Sequence, residues 1–223
     1  MYPTSEPMGS TSSAPSFPEA QAKFPWLTLL LQAYHIADQG LARAIAVQQA
    51  RGRQLACAKG CSACCRSHST IPVYPMELAG LAWYASEQVA EPLRATLRTQ
   101  LAAHASGSPC PFLVEGACSV HPLRPLACRQ FNVFGRACAE GEDAYYTRRE
   151  DVLDPVKPAM DEAFYTMLPY YGIRGDDERR EFVMAGAQHQ FVRVLQTCRW
   201  PSLARKMAEF DAARRECGGQ QPL

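Results

Sequence analysis

The chain has 223 residues, 47% of them hydrophobic, and a formal net charge of +1. That is enough apolar material for a core of its own and excludes a disordered chain, while near-neutrality excludes the strongly basic balance of a general nucleic-acid binder. Charge is unevenly spread: residues 43–139 carry ten Lys or Arg against four Glu, and residues 140–223 carry fifteen acids against twelve bases. Most of the ten cysteines lie in the positive part, where nearby cations lower a thiol's pKa. The same arginines also suit an ordinary solvated surface.

Residues 1–23 are rich in Ser, Pro, Thr and Ala and lack the basic start and apolar run of an export signal, so a mobile tail and a cytoplasmic address are expected. In that compartment clustered thiols stay reduced and serve as metal ligands more often than as disulfides. From Trp26 to Gln49, apolar residues at Leu27, Leu30, Leu31, Tyr34, Ala37, Leu41, Ala44 and Ile45 follow the helical period. The apolar run from Trp26 to Ile36 is too short to cross a membrane. His35, one residue past a stripe position, reads as a surface histidine.

Arg51-Gly52-Arg53 closes that helix, and the chain enters Cys57-Ala-Lys-Gly-Cys61-Ser-Ala-Cys64-Cys65, with Gly60 available for a tight turn. Helices follow over Met76–Ala85 and from Pro92 toward Gly107. Pro109–Val120 has apolar runs on both sides of Glu115-Gly116, which predicts a small hairpin bringing Cys110 and Cys118 together. His121-Pro-Leu-Arg-Pro125 turns the chain, and a helical turn over Leu126–Phe131 carries Cys128. Further helices are predicted over Pro158–Met167, Asp177–Ala187, Gln190–Thr197 and Ser202–Cys217, the last with Ser202 as its N-cap. The expected architecture is mainly α: one helical domain over 24–217 containing a cysteine segment at 57–131, with tails at 1–23 and 218–223.

The cysteines carry the chemistry. C-x3-C-x2-C-C followed by Cys110, Cys118 and Cys128 places thiols on a turn and completes the set from a distant segment, which is the logic of zinc and iron–sulfur sites. Seven thiols exceed the four that one tetrahedral ion or one cubane requires, so some are spare or there are two metals. Adjacent Cys64 and Cys65 are expected to point apart, one binding and one spare. The C-x3-C-x2-C step also equals the radical S-adenosylmethionine signature, but here a helix precedes it and Ala63 replaces the preferred aromatic. Cys138, Cys198 and Cys217 stay outside the predicted site. His68, three residues past Cys65, is a candidate supporting donor or alternative ligand. Glu77, Trp83, Tyr84, Tyr170 and Tyr171 read as packing residues.

Taken together, Cys57-x3-Cys61-x2-Cys64-Cys65, Cys110-Pro111-Phe112-Leu113, Gly116-x-Cys118 and Arg124-Pro125-x-x-Cys128-Arg129 resemble the YkgJ-type cysteine-cluster family, a zinc- or iron-chelating domain. The resemblance covers about residues 57–131 and implies that these cysteines hold metal. Flagellin lysine N-methylases carry a similar cluster, which implies a methyl-transfer role as one option. His121 stands where the family often has Tyr and reads as a polar replacement. The expected function is thus metal binding by Cys57, Cys61, Cys64, Cys65, Cys110, Cys118 and Cys128, with an iron–sulfur cluster slightly preferred over zinc. Cubane geometry explains C-x3-C-x2-C, whereas zinc ribbons use C-x2-C. The alternatives are an iron–sulfur enzyme of methyl-transfer or redox type and a thiol redox switch. A metal or cluster is the expected partner, with no nucleic acid and no membrane.

Overall fold

The computed structural model describes residues 15–107 and 109–218; of the tails predicted at 1–23 and 218–223, residues 1–14 and 219–223 lie outside the described residues. The chain is mainly α, as predicted. In order, the helices are α1 (Pro18–Lys23), α2 (Pro25–Ala50), α3 (Ala63–Ser67), α4 (Pro75–Glu87), α5 (Leu93–Ala103), α6 (Leu126–Gln130), α7 (Ala144–Thr147), α8 (Lys157–Met167), α9 (Asp176–Met184) and α10 (Trp200–Gly218). Four short strands, β1 (Pro72–Val73), β2 (Leu113–Val114), β3 (Ala117–Cys118) and β4 (Arg193–Val194), form two antiparallel pairs, β1 with β4 and β2 with β3.

The long helix is present, with Pro25 at its start, where a missing amide costs nothing. Its stripe Leu27, Leu30, Leu31, Tyr34 and Ala37 is buried against Ala163, Phe164 and Met167 of α8 and Met76 and Trp83 of α4. The opposite face of α4, Leu81 and Ala85, belongs to a second core with Leu97 and Leu101 of α5, Phe112 and Val114 of the hairpin, and Leu203 and Met207 of α10. The helix α4 is therefore a shared wall between two cores, and the cysteine segment is threaded along it.

Two close approaches fix this packing. A Cβ on Gly40 of α2 would lie 2.2 Å from the Ala159 Cβ of α8, and one on Gly80 of α4 would lie 2.4 Å from a Leu30 methyl of α2. The hairpin turns through Glu115 and Gly116 with φ of 50° and 79°, the two-residue geometry whose twist matches antiparallel strands.

Three local expectations differ. Pro18–Lys23, assigned to the tail by composition, are helical, and Phe17 just before them packs edge-on against Trp83 at 5.0 Å. The helix predicted over 190–197 is absent: a 3-10 turn (Ala187–Phe191) leads into β4, which pairs with β1, and a second 3-10 turn follows at Leu195–Thr197. The sheet partner fixes the chain in an extended form that the helical period of so short a segment could not reveal. The last helix starts at Trp200, so Ser202 lies inside it and its hydroxyl accepts from Arg205.

Candidate metal centre

The site begins where backbone pairing ties three distant segments together. Residues 132–135 run between residues 54–56 and 151–153: the Ala56 amide bonds the Val133 carbonyl at 2.8 Å, and the Phe134 amide bonds the Asp151 carbonyl at 2.8 Å. This brings Cys57 beside residues 131–138. The chain then turns through Gly60 at φ 85°, with the Cys61 amide on the Ala58 carbonyl at 3.0 Å, and enters α3 carrying Cys64 and Cys65.

The two cysteine segments are joined by a backbone bond from the Cys110 amide to the Cys65 carbonyl at 2.9 Å. Cys110 is buried at the foot of the hairpin, and Cys118 lies on β3 opposite Leu113. The 3-10 turn His121–Leu123 and Pro125 then lead into α6, which carries Cys128. The start of α6 is held by Glu77 of α4, fully buried, whose carboxylate accepts the Leu126 amide at 2.7 Å and the Tyr74 amide at 3.0 Å. Arg129 stacks over Tyr34 at 4.0 Å and pairs with Asp38 at 2.5 Å, so α2, α4 and α6 share one polar seam beneath the cysteines.

The thiols lie in one another's fields. Hydrogen bonding by the Cys65 thiol and then burial push the Cys64 thiol far above its ordinary range. The neighbouring Cys110 thiol pushes Cys65 up to about 12. Burial raises Cys128, and the fields of Cys64, Cys65 and Cys118 add to it. Burial also raises Cys118, against the Val120 amide and the Arg124 guanidinium, which favour its thiolate. Cys57 rises to about 11 through burial, helped by Cys61, Cys64 and Cys138 and opposed by the Val133 amide. The Cys64 and Cys65 thiols thus act on each other's ionisation.

All seven predicted cysteines fall in this network. Cys138 joins them unpredicted, its sulfur accepting from the Arg148 guanidinium at 3.3 Å. One signal was available: Cys118, Cys128 and Cys138 follow at equal ten-residue steps. Cys198 stays apart, its thiol on the Val194 carbonyl at 3.4 Å, and the Cys217 side chain lies outside the described residues. His35 is exposed and bonds Gln39, and the His121 ring is engaged by Arg124. Burial, then Arg124 and Arg129, lower His121 to about 4. His68 lies 3.2 Å from Asp143.

As the side chains stand, no three Cys, His, Asp or Glu donors among the described residues converge as a closed ligand set. The chemistry of the set nevertheless fits a thiophilic ion. Ligand sulfurs on one tetrahedral ion stand about 3.8 Å apart, a spacing that thiols in hydrogen-bonding reach attain by side-chain rotation. Crowded thiols that oppose each other's ionisation are the groups a cation would relieve. Donors to sulfur are already in place at Cys57, Cys118 and Cys138.

Fold and site define a mainly helical protein whose clustered thiols bridge two chain segments. Residues 56–154 match the CxxCxxCC family, described as "Putative zinc- or iron-chelating domain", which is the YkgJ-type family. The match covers under half of the chain, so it is a similarity over that segment, and it supports a metal-binding role. No curated protein and no solved structure matches the chain. Among the described residues no helix is long and apolar enough to cross a membrane.

Proposed function

We propose that this chain is a cytoplasmic metal-binding protein whose thiolates hold an iron–sulfur cluster, with zinc as the alternative occupant. Cys57, Cys61, Cys64, Cys65, Cys110, Cys118 and Cys128 are the candidate ligands. The observation that carries the reading is the Cys110–Cys65 backbone bond, which draws both cysteine segments against each other. The preference for iron rests on the C-x3-C-x2-C step of Cys57, Cys61 and Cys64, from which three corners of a cubane are reachable. Zinc is supported by the family description, which names both metals.

Loading requires these thiols to release their protons, because thiolate is the ligand form. Arg124 and Arg129 face Cys118 and favour its ionised form. When bound, the metal would supply a cross-link between the 57–65 and 110–128 segments, and an iron–sulfur cluster would add one-electron chemistry.

Anaerobic purification with elemental analysis is the test. Brown protein with iron and acid-labile sulfide in stoichiometric amount is expected, lost on Cys61→Ser or Cys128→Ser and retained on Cys198→Ser. Colourless protein with tightly held zinc would sink the iron version; protein without any stoichiometric metal would sink the metal reading itself.

A further inference from the structure

We propose that Cys65 and Cys110 are a redox modification site, forming a reversible disulfide across the junction of the two cysteine segments that closes the centre to metal. This rests on the reading of the cysteines as ligands and adds a control to it.

The backbone holds the pair at bonding distance. The Cys110 amide donates to the Cys65 carbonyl at 2.9 Å. A bond of that length sets two Cα atoms roughly 5–6 Å apart, inside the range of about 4.4–6.8 Å that disulfides span. The side chains converge as well, since the Cys65 thiol stands in hydrogen-bonding reach of the Cys110 sulfur and both pack in one apolar cluster with Ile71, Phe112 and Val114. Each side of the junction is pinned. Gln196 donates to the His68 carbonyl at 2.7 Å and accepts the Ile71 amide at 3.1 Å, while Gln100 of α5 donates to the Pro111 carbonyl at 2.7 Å.

Competing pairs are worse placed. Cys64 and Cys65 are neighbours in α3, where successive side chains leave the axis about 100° apart, so bridging them would unwind the helix. On the hairpin Cys118 faces Leu113, which leaves Cys110 out of register with it.

The two ends differ in access: Cys65 is half-buried and Cys110 is buried. A peroxide therefore reaches Cys65 first. The Cys65 sulfur attacks the O–O bond, becomes a sulfenic acid and releases one water; the Cys110 sulfur then attacks the Cys65 sulfur, and the sulfenic oxygen leaves as a second water. One hydrogen peroxide is reduced to two waters while two thiols are oxidised to one disulfide. Proton sharing with the Cys110 sulfur holds the Cys65 thiol up to about 12, so the reaction runs through a small thiolate fraction and is slow. Bound metal prevents it by occupying the same sulfurs. The disulfide in turn excludes metal there, because its sulfurs stand about 2.05 Å apart where ligand sulfurs need about 3.8 Å. Reducing thiols reverse it by exchange.

Disulfide mapping of the full chain tests this. The chain, stripped of metal with a chelator, treated with limiting hydrogen peroxide, alkylated and digested, should yield a Cys65–Cys110 cross-linked peptide as its main disulfide. The zinc-loaded chain should yield none. Oxidised protein should lose zinc uptake and regain it after dithiothreitol. Cys110→Ser should lose the cross-link and leave on Cys65 a sulfenic acid that dimedone traps; Cys65→Ser should lose the cross-link too, and Cys198→Ser should keep it. Circular dichroism checks that each variant folds, and the wild-type map stands whether or not they do. A main disulfide between any other pair, or an oxidised wild-type chain that takes up zinc in full, would overturn this inference alone. A reduced chain that binds neither zinc nor iron would overturn the metal reading beneath it, whatever the disulfide map shows.

Discussion

Glu77 is 0% exposed, its two oxygens divided between the Tyr74 and Leu126 amides. Burial pushes its carboxyl from an ordinary 4.5 up to about 7, against the two amides, Arg129 and Tyr34, which favour the charge. The folded protein therefore keeps a proton that the unfolded chain releases near 4.5. Between those values the native state binds the extra proton, so stability falls as pH rises from about 4.5 to 7, by roughly 2–3 kcal/mol. Glu77→Gln should abolish that slope and cost about 2 kcal/mol or more, because a carboxamide offers one acceptor where two amides need one each. Urea unfolding of both proteins at pH 5 and pH 8 checks this, and a wild-type slope surviving in the variant would refute the assignment. Spacing gives no sign of such a role: Glu77 looks like any first-turn acid until Leu126, forty-nine positions away, arrives on it.

At the scale of elements, the long periodic segments were legible. The helices at Pro25–Ala50, Pro75–Glu87 and Lys157–Met167 follow stripes long enough to be unambiguous, and Glu115-Gly116 marked the hairpin through turn chemistry. What failed was short and decided by a partner, as with the segment before α10 that pairs with Pro72–Val73. The helix crossings were legible only as glycines of unknown purpose. At Gly40, alanine would gain about 1 kcal/mol of helix propensity but bring its Cβ 2.2 Å from the Ala159 Cβ, which has no rotamer to yield. Gly40→Ala should therefore destabilise by about 1–3 kcal/mol, and Gly40→Ala with Ala159→Gly should recover most of it. Thermal melts of the three proteins decide the matter; a stabilised single variant would mean that α2 and α8 are not so close. Gly116→Val should cost more at the metal centre than elsewhere, since φ is 79° and the new side chain meets the Arg66 guanidinium, which lies 3.3 Å from the Cβ position. Metal content measured beside the melting temperature separates the two losses.

For the whole molecule, the candidate ligands were legible because their spacing is local, while the way they group was not. Cys138 enters through the pairing of residues 132–135 with 54–56 and 151–153, contacts that its ten-residue spacing from Cys128 does not reveal. Metal removal by a chelator should lower the melting temperature and raise thiol reactivity from Cys57 to Cys138 in concert, while the α2–α8 core retains its amide protection. Hydrogen exchange of the chelated protein reads this directly, and uniform loss of protection would mean that the metal is needed for the entire fold. The bond between the Cys65 carbonyl and the Cys110 amide also has a meaning for the unfolded chain. A metal gripping both sides of it ties off a loop of about 45 residues containing α4 and α5. By polymer statistics such a tether removes about 4 kcal/mol of disorder from the denatured ensemble. Ions captured early would hand the folding chain a ready-made ring, so refolding with metal present should outpace refolding followed by loading.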